Sequence, residues 1–222
     1  MERERRMTTS PEGRVLILGI GNILWADEGF GVRAVEHLAR HFVFPECVEL
    51  MDGGTQGLYL LPLLEDLDTL IIVDAVDFRL PPGAIHEVHG DDVPATIGAG
   101  KMSLHQTGFQ EVLALLDLRG HLPCHVALIG VQPVTMEDYG GGLTETVAAR
   151  VPEVASRVLA LLAELTGLRP VPREGAVEAG AGLMTAAVAR DGYENGRPSP
   201  EEACRFGDER VLSREAFFRV EG

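Results

Sequence analysis

The sequence predicts an α/β protein, a three-layer sandwich around a twisted, mostly parallel sheet of about five strands. Three observations carry that expectation. Short apolar runs at 15–20, 69–73 and 126–131 have the make-up of strands buried on both faces. Between them lie stretches with apolar residues at helical spacing, so strand and helix alternate along the chain. At 222 residues, 45% hydrophobic and 24% charged, the chain is long enough for one well-buried domain and too short for two of ordinary size.

In chain order, residues 14–20 form the first strand, and residues 30–42 a helix. That helix has Phe30, Ala34, Val35, Leu38 and Phe42 on one face and Arg33, Glu36, His37 and Arg40 away from it. Pro45 ends it, and 48–51 is a second strand leading into the turn Asp52-Gly53-Gly54-Thr55. Residues 58–64 form a helix that Pro62 kinks. The run 69–73 is the most apolar in the chain and therefore central. After Pro81-Pro82-Gly83, residues 84–88 form a half-exposed strand compatible with antiparallel pairing.

Residues 89–104 read as a polar loop, and 106–118 as a helix buried through Phe109, Val112, Leu113 and Leu116. After the strand 126–131, Thr144 caps a long helix running to about 165, with a jog at Pro152. From Gly167 prolines and glycines punctuate short apolar patches. Residues 167–222 are expected to be an extension, poorly ordered or draped on the core, and 1–13 a flexible N-terminus.

Composition narrows the function. A formal net charge of −15 argues against a nucleic-acid footprint and against an anionic membrane surface. No stretch approaches the roughly 20 apolar residues of a membrane helix. Cys47, Cys124 and Cys204 are isolated, without a CxxC pair, which reads as a reducing compartment with no disulfide framework and no zinc ribbon. The charged N-terminus lacks an apolar signal core, so the expected location is the cytoplasm.

The turn that begins at Gly19-Ile20-Gly21 is not a dinucleotide fingerprint. Its third glycine would fall at Leu24, and Asp27 and Glu28 would crowd a pyrophosphate. The glycines are assigned to the sharp turn itself. Glu28 lies at a helix start, where the macrodipole already favours a carboxylate. Asp74 ends a buried strand and needs hydrogen bonds, a cation or a proton to offset burial. His105 opens a helix after a polar loop, where a capping or surface role is also open to it.

Taken together, Glu28, Asp74 and His105 are three nitrogen and oxygen ligands at strand ends or helix starts, on what should be one edge of the sheet. Such a set suits a borderline or hard divalent ion and leaves a position open for water or substrate. Asp52 is one further polar candidate, with turn organisation as its alternative role. No GxSxG elbow occurs. Cys124 and His125, as strand neighbours, point to opposite faces and make no dyad.

Four stretches now point to a family. Gly19-Ile20-Gly21-Asn22-Ile23-Leu24-Trp25-Ala26-Asp27-Glu28-Gly29-Phe30-Gly31, Asp52-Gly53-Gly54-Thr55, Asp74-Ala75-Val76-Asp77 and His105-Gln106-Thr107-Gly108-Phe109 occur in that order. They closely resemble the maturation endopeptidases of nickel–iron hydrogenases, most of all those serving membrane-bound uptake hydrogenases. The resemblance spans residues 14–166, which it identifies as the peptidase domain. It implies an α/β sandwich that removes a C-terminal extension from the hydrogenase large-subunit precursor once nickel has been inserted.

The family's metal-binding acid, aspartate and histidine fall on Glu28, Asp74 and His105. Nickel is expected to arrive with the precursor, held by the precursor's cysteines, and another divalent ion to occupy the site in isolation. Asp52 is the catalytic candidate. The segment after Gly167 departs from the compact family pattern. Two competing readings use the same residues or fold: a nickel-binding assembly chaperone without peptidase activity, and a nucleotide-binding enzyme.

Overall fold

The computed structural model of the chain describes residues 13–99, 104–136 and 142–174, with the backbone alone at 98, 99 and 104–107. Five strands form the main sheet: β1 (Val15–Ile20), β3 (Val48–Gly54), β4 (Thr69–Ala75), β5 (Ile85–His89) and β6 (His125–Val131). Their order is β3-β1-β4-β6-β5. All pairings are parallel except that of β5 with β6, so the expected sandwich around a mostly parallel five-stranded sheet is what forms.

The pleat sorts the apolar residues into two cores. Ile17, Ile71, Val73 and Ile129 meet Phe30, Val35 and Leu38 of α1 (Phe30–His41) and Val154, Val158 and Leu162 of α6 (Val151–Thr166). On the opposite face Leu18, Leu70, Ile72 and Leu128 meet Leu64 of α2 (Leu61–Leu64), Val93 and Ile97 of α3 (Asp92–Ala99), and Phe109, Leu113 and Leu116 of α4 (Leu104–Arg119). Buried on both faces, β4 is continuously apolar from Leu70 to Val73, ahead of Asp74.

Several local expectations are corrected. Residues 92–99 are helical rather than loop, since Val93 and Ile97, one turn apart, are buried. Pro62 and Pro152 open α2 and α6 instead of bending them; in a first turn the missing N–H costs nothing. The long helix after Thr144 is accordingly two, α5 (Glu145–Ala148) and α6. Arg33 and Glu36, expected on the exposed face of α1, are each 3% exposed. They are neutralised pairwise along the helix, Arg33 to Glu36 at 2.9 Å and Arg40 to Glu36 at 2.7 Å.

The chain beyond Gly167 starts out docked. Gly167 ends α6 at φ 77, and β7 (Val171–Pro172) pairs antiparallel with β2 (Phe42–Val43) just past α1. The Arg173 amide donates to the His41 carbonyl at 2.7 Å. Residues 1–12 and 175–222 lie outside the description. Among the described residues no helix is long and apolar enough to cross a membrane.

Candidate functional site

The chain leaves β1, crosses through α1 to β3 on one side, and later returns to β4 on the other. That reversal opens a crevice at the carboxyl ends of β1 and β4, where α/β folds bind ligands. The N-terminus of α1 is wedged into it. A side chain at Gly31 would run into the carbonyl oxygens of Ile20 and Val73, and one at Gly21 (φ 140) into the carbonyl oxygen of Glu28. The glycines of the motif therefore let the backbone of the turn close onto the strand ends, as assigned from the sequence. Asn22 holds the bend, its Oδ1 accepting from the Leu24 amide at 3.0 Å.

Of the acidic pair at the end of this turn, the two members do different things. Asp27 is fully buried, with 0% exposed. Its Oδ2 accepts from the amides of Val134 (2.9 Å) and Thr135 (3.1 Å) and from the Thr144 hydroxyl (3.1 Å). Its Oδ1 accepts from the Thr144 amide at 2.7 Å. Asp27 thus ties the first loop to the segment after β6. The sequence reading missed this role, because the donors stand more than a hundred residues away. Glu28 is half-buried in the 3-10 turn Ala26–Gly29, directly ahead of α1.

Asp74 is the penultimate residue of β4 and 2% exposed. By strand alternation it shares the face of Leu70 and Ile72, on the α4 side of the sheet. Its Oδ1 accepts from the Ala75 amide at 2.7 Å, one of the hydrogen bonds that burial of a carboxylate demands. Asp77 organises the next loop, accepting at 3.0 Å from both the Arg79 amide and Gln132 Nε2.

Asp52 pairs in register with Gly19, at the same sheet edge. However, it shares the face of Val48 and Leu50, on the α1 side, so the sheet lies between it and the Asp74 face. Its Oδ1 accepts from the Gly54 amide at 2.8 Å, which is the turn-organising role. Burial pushes its carboxyl above the ordinary value of 3.8, opposed by the Gly54 hydrogen bond and by the positive field of Arg33, while Glu36 pushes it further up.

His105 is the second residue of α4; its side chain is outside the description. The backbone still places that first turn. The 3-10 turn Gly57–Leu60, which follows β3, packs against α4, and a methyl at Gly108 would lie 3.4 Å from Gly57 Cα. The start of α4 therefore stands over the carboxyl edge, on the face that carries Asp74. Among the described residues no three His, Cys, Asp or Glu side chains are grouped closely enough to hold a metal ion.

Comparison with known proteins fits this geometry. The family model for hydrogenase maturation proteases matches residues 32–161. The hydrogenase expression/formation protein HupD of Rhodobacter capsulatus is 52% identical over 211 residues, 93% of this chain and 97% of that protein. HupD of Thiocapsa roseopersicina is 51% identical over 207 residues, 93% of this chain and 92% of its own length. Both alignments run well past Gly167, so the segment set apart from the compact family pattern is shared with these relatives. The hydrogenase maturating endopeptidase HybD from Escherichia coli has the same fold, with a TM-score of 0.68 and 41% identity over 72% of this chain and 98% of that one. The chain belongs to the hydrogenase maturation protease family.

Proposed function

We propose that this chain removes the C-terminal extension of a nickel–iron hydrogenase large-subunit precursor, and that nickel already held by the precursor gates the cleavage. The observation that supports the reading is the closure of the turn bearing Glu28 onto the ends of β1 and β4, the strand that Asp74 nearly ends. The HybD relative is named as a hydrogenase maturating endopeptidase, which supports the reaction; the large-subunit precursor as substrate is what the resemblance of the motifs implies. Nickel enters as part of the substrate. Carboxylate and imidazole donors suit such a borderline ion, and three of them leave positions for the precursor's own ligands.

In this reading Glu28 and Asp74 meet the substrate metal from the β1 and β4 ends, and His105 meets it from α4. Their docking brings the scissile peptide to the edge of the sheet. The cation supplies Lewis acidity beside that peptide. Asp52 reaches the same edge from the α1 side, and we assign it a supporting part in hydrolysis rather than a place in the metal set. In isolation another divalent ion takes the position of nickel. The cytoplasm, where precursors are assembled, is the expected compartment.

Glu28→Ala, Asp74→Ala and His105→Ala test the assignment. Each is expected to lower processing of the nickel-loaded precursor by at least about a hundredfold with the far-UV circular dichroism of the parent. Processing at the parent rate by a folded His105→Ala protein would remove His105 from the set. For Asp52→Asn, the supporting role requires a lower kcat with precursor binding unchanged.

A further inference from the structure

Large apolar side chains are exposed in every loop that leaves the carboxyl edge of the parallel strands. Leu24 follows β1 and is 38% exposed; Leu58 and Tyr59 follow β3, at 53% and 85%. Leu80 follows β4 at 40%, and Val134 follows β6 at 49%. The same loops bear Glu28 and Asp77, with Arg79 as a counter-charge, and Asp74 lies buried at the end of β4 beneath them, in a chain of net charge −15. The loops are held in place: the Leu80 amide donates to Gln132 Oε1 at 3.1 Å and the Val134 amide to Asp27 at 2.9 Å. Exposed apolar groups held on anchored loops around a crevice are the make-up of a docking surface, not of a solvated loop cluster.

We propose that Leu24, Leu58, Tyr59, Leu80 and Val134 form the rim on which the precursor docks, and that the docked segment is apolar and flanked by basic residues. The apolar part of the segment covers the rim. Its basic flanks are drawn by the acidic edge, which also repels acidic segments and thereby sorts partners. Tyr59 is the anchor, because a rigid aromatic ring buries large area at small entropic cost. This inference rests on the reading of the chain as the precursor's endopeptidase.

The test uses the full chain and the nickel-loaded hydrogenase large-subunit precursor, following binding by biolayer interferometry and processing by intact mass. Tyr59→Ser and Leu24→Ser are expected to weaken binding roughly tenfold and to raise KM with kcat unchanged. Leu118→Ser, at an 83% exposed position on the last turn of α4, is expected to bind like the parent. Parent binding should also weaken as salt is raised. Parent-like binding by both rim variants, with the parent cleaving normally, overturns the rim and leaves the endopeptidase reading intact. An equal loss in Leu118→Ser overturns it too, since the effect is then general adhesion. If the folded parent neither binds nor cleaves the nickel-loaded precursor, the endopeptidase reading falls and the rim falls with it.

Discussion

Asp27 and Thr144, 117 positions apart in sequence, are joined twice: the Thr144 amide donates to Asp27 Oδ1 at 2.7 Å and its hydroxyl to Oδ2 at 3.1 Å. Thr144 sits at the N-cap of α5, yet its hydroxyl makes no cap bond and serves Asp27 instead. Asp27→Ala would strand that hydroxyl together with the amides of Val134, Thr135 and Thr144, whose bonds to the carboxylate are part-buried. The expected cost is about 3 kcal/mol or more, against about 1 kcal/mol for Thr144→Val, which removes one hydroxyl bond. Urea denaturation measures both. A larger loss in Thr144→Val than in Asp27→Ala would contradict the assignment.

Gly21 and Gly90 separate two costs of replacing a glycine. Gly21 has φ 140 and the Glu28 carbonyl oxygen in the way, whereas Gly90 has φ 59 and nothing within 4 Å. Gly90→Ala is expected to cost about 1 kcal/mol, the price of a left-handed backbone alone. Gly21→Ala should cost about 3 kcal/mol or more, because the backbone must also part from the Glu28 turn. Equal unfolding free energies for the two variants would remove the steric role given to Gly21.

Asp52 makes stability depend on pH in a stated direction. Its carboxyl is raised above 3.8 by burial, so the folded state holds this proton more tightly than the unfolded chain. Its contribution is therefore complete below 3.8 and is lost as pH rises through the raised value. Asp52→Asn keeps an oxygen for the Gly54 amide but has no proton to lose. Relative to the parent, the variant should gain stability as pH rises from 3.8 through the raised value and should level off above it. Parallel stability curves for variant and parent across that range would contradict the raised carboxyl.

The layers were legible because β1, β4 and β6 are unbroken apolar runs, which only a sheet covered on both faces accommodates. The position of Asp74 was legible for a related reason: a polar residue that closes such a run stands at the end of the strand. What could not be read is whatever depends on partners distant in sequence. Nothing local distinguishes Asp27 from Glu28, yet one is a buried clamp and the other a half-buried group at the crevice. Arg33 and Glu36 carry the charge pattern of a solvated helix face, and their burial follows from what the fold packs around α1, which no local pattern announces. Proline position was ambiguous for another reason: Pro62 and Pro152 bend a helix or begin one depending on where its first turn falls.

The central claim is that a metal carried by the substrate licenses the cut at the crevice of Glu28, Asp74 and His105. Intact mass of the nickel-loaded large-subunit precursor, before and after incubation with this protein and beside a nickel-free precursor, tests it most directly. The account predicts loss of a C-terminal peptide from the nickel-loaded precursor alone. Equal shortening of the nickel-free precursor, or a stable complex with the loaded one and no shortening, would contradict it.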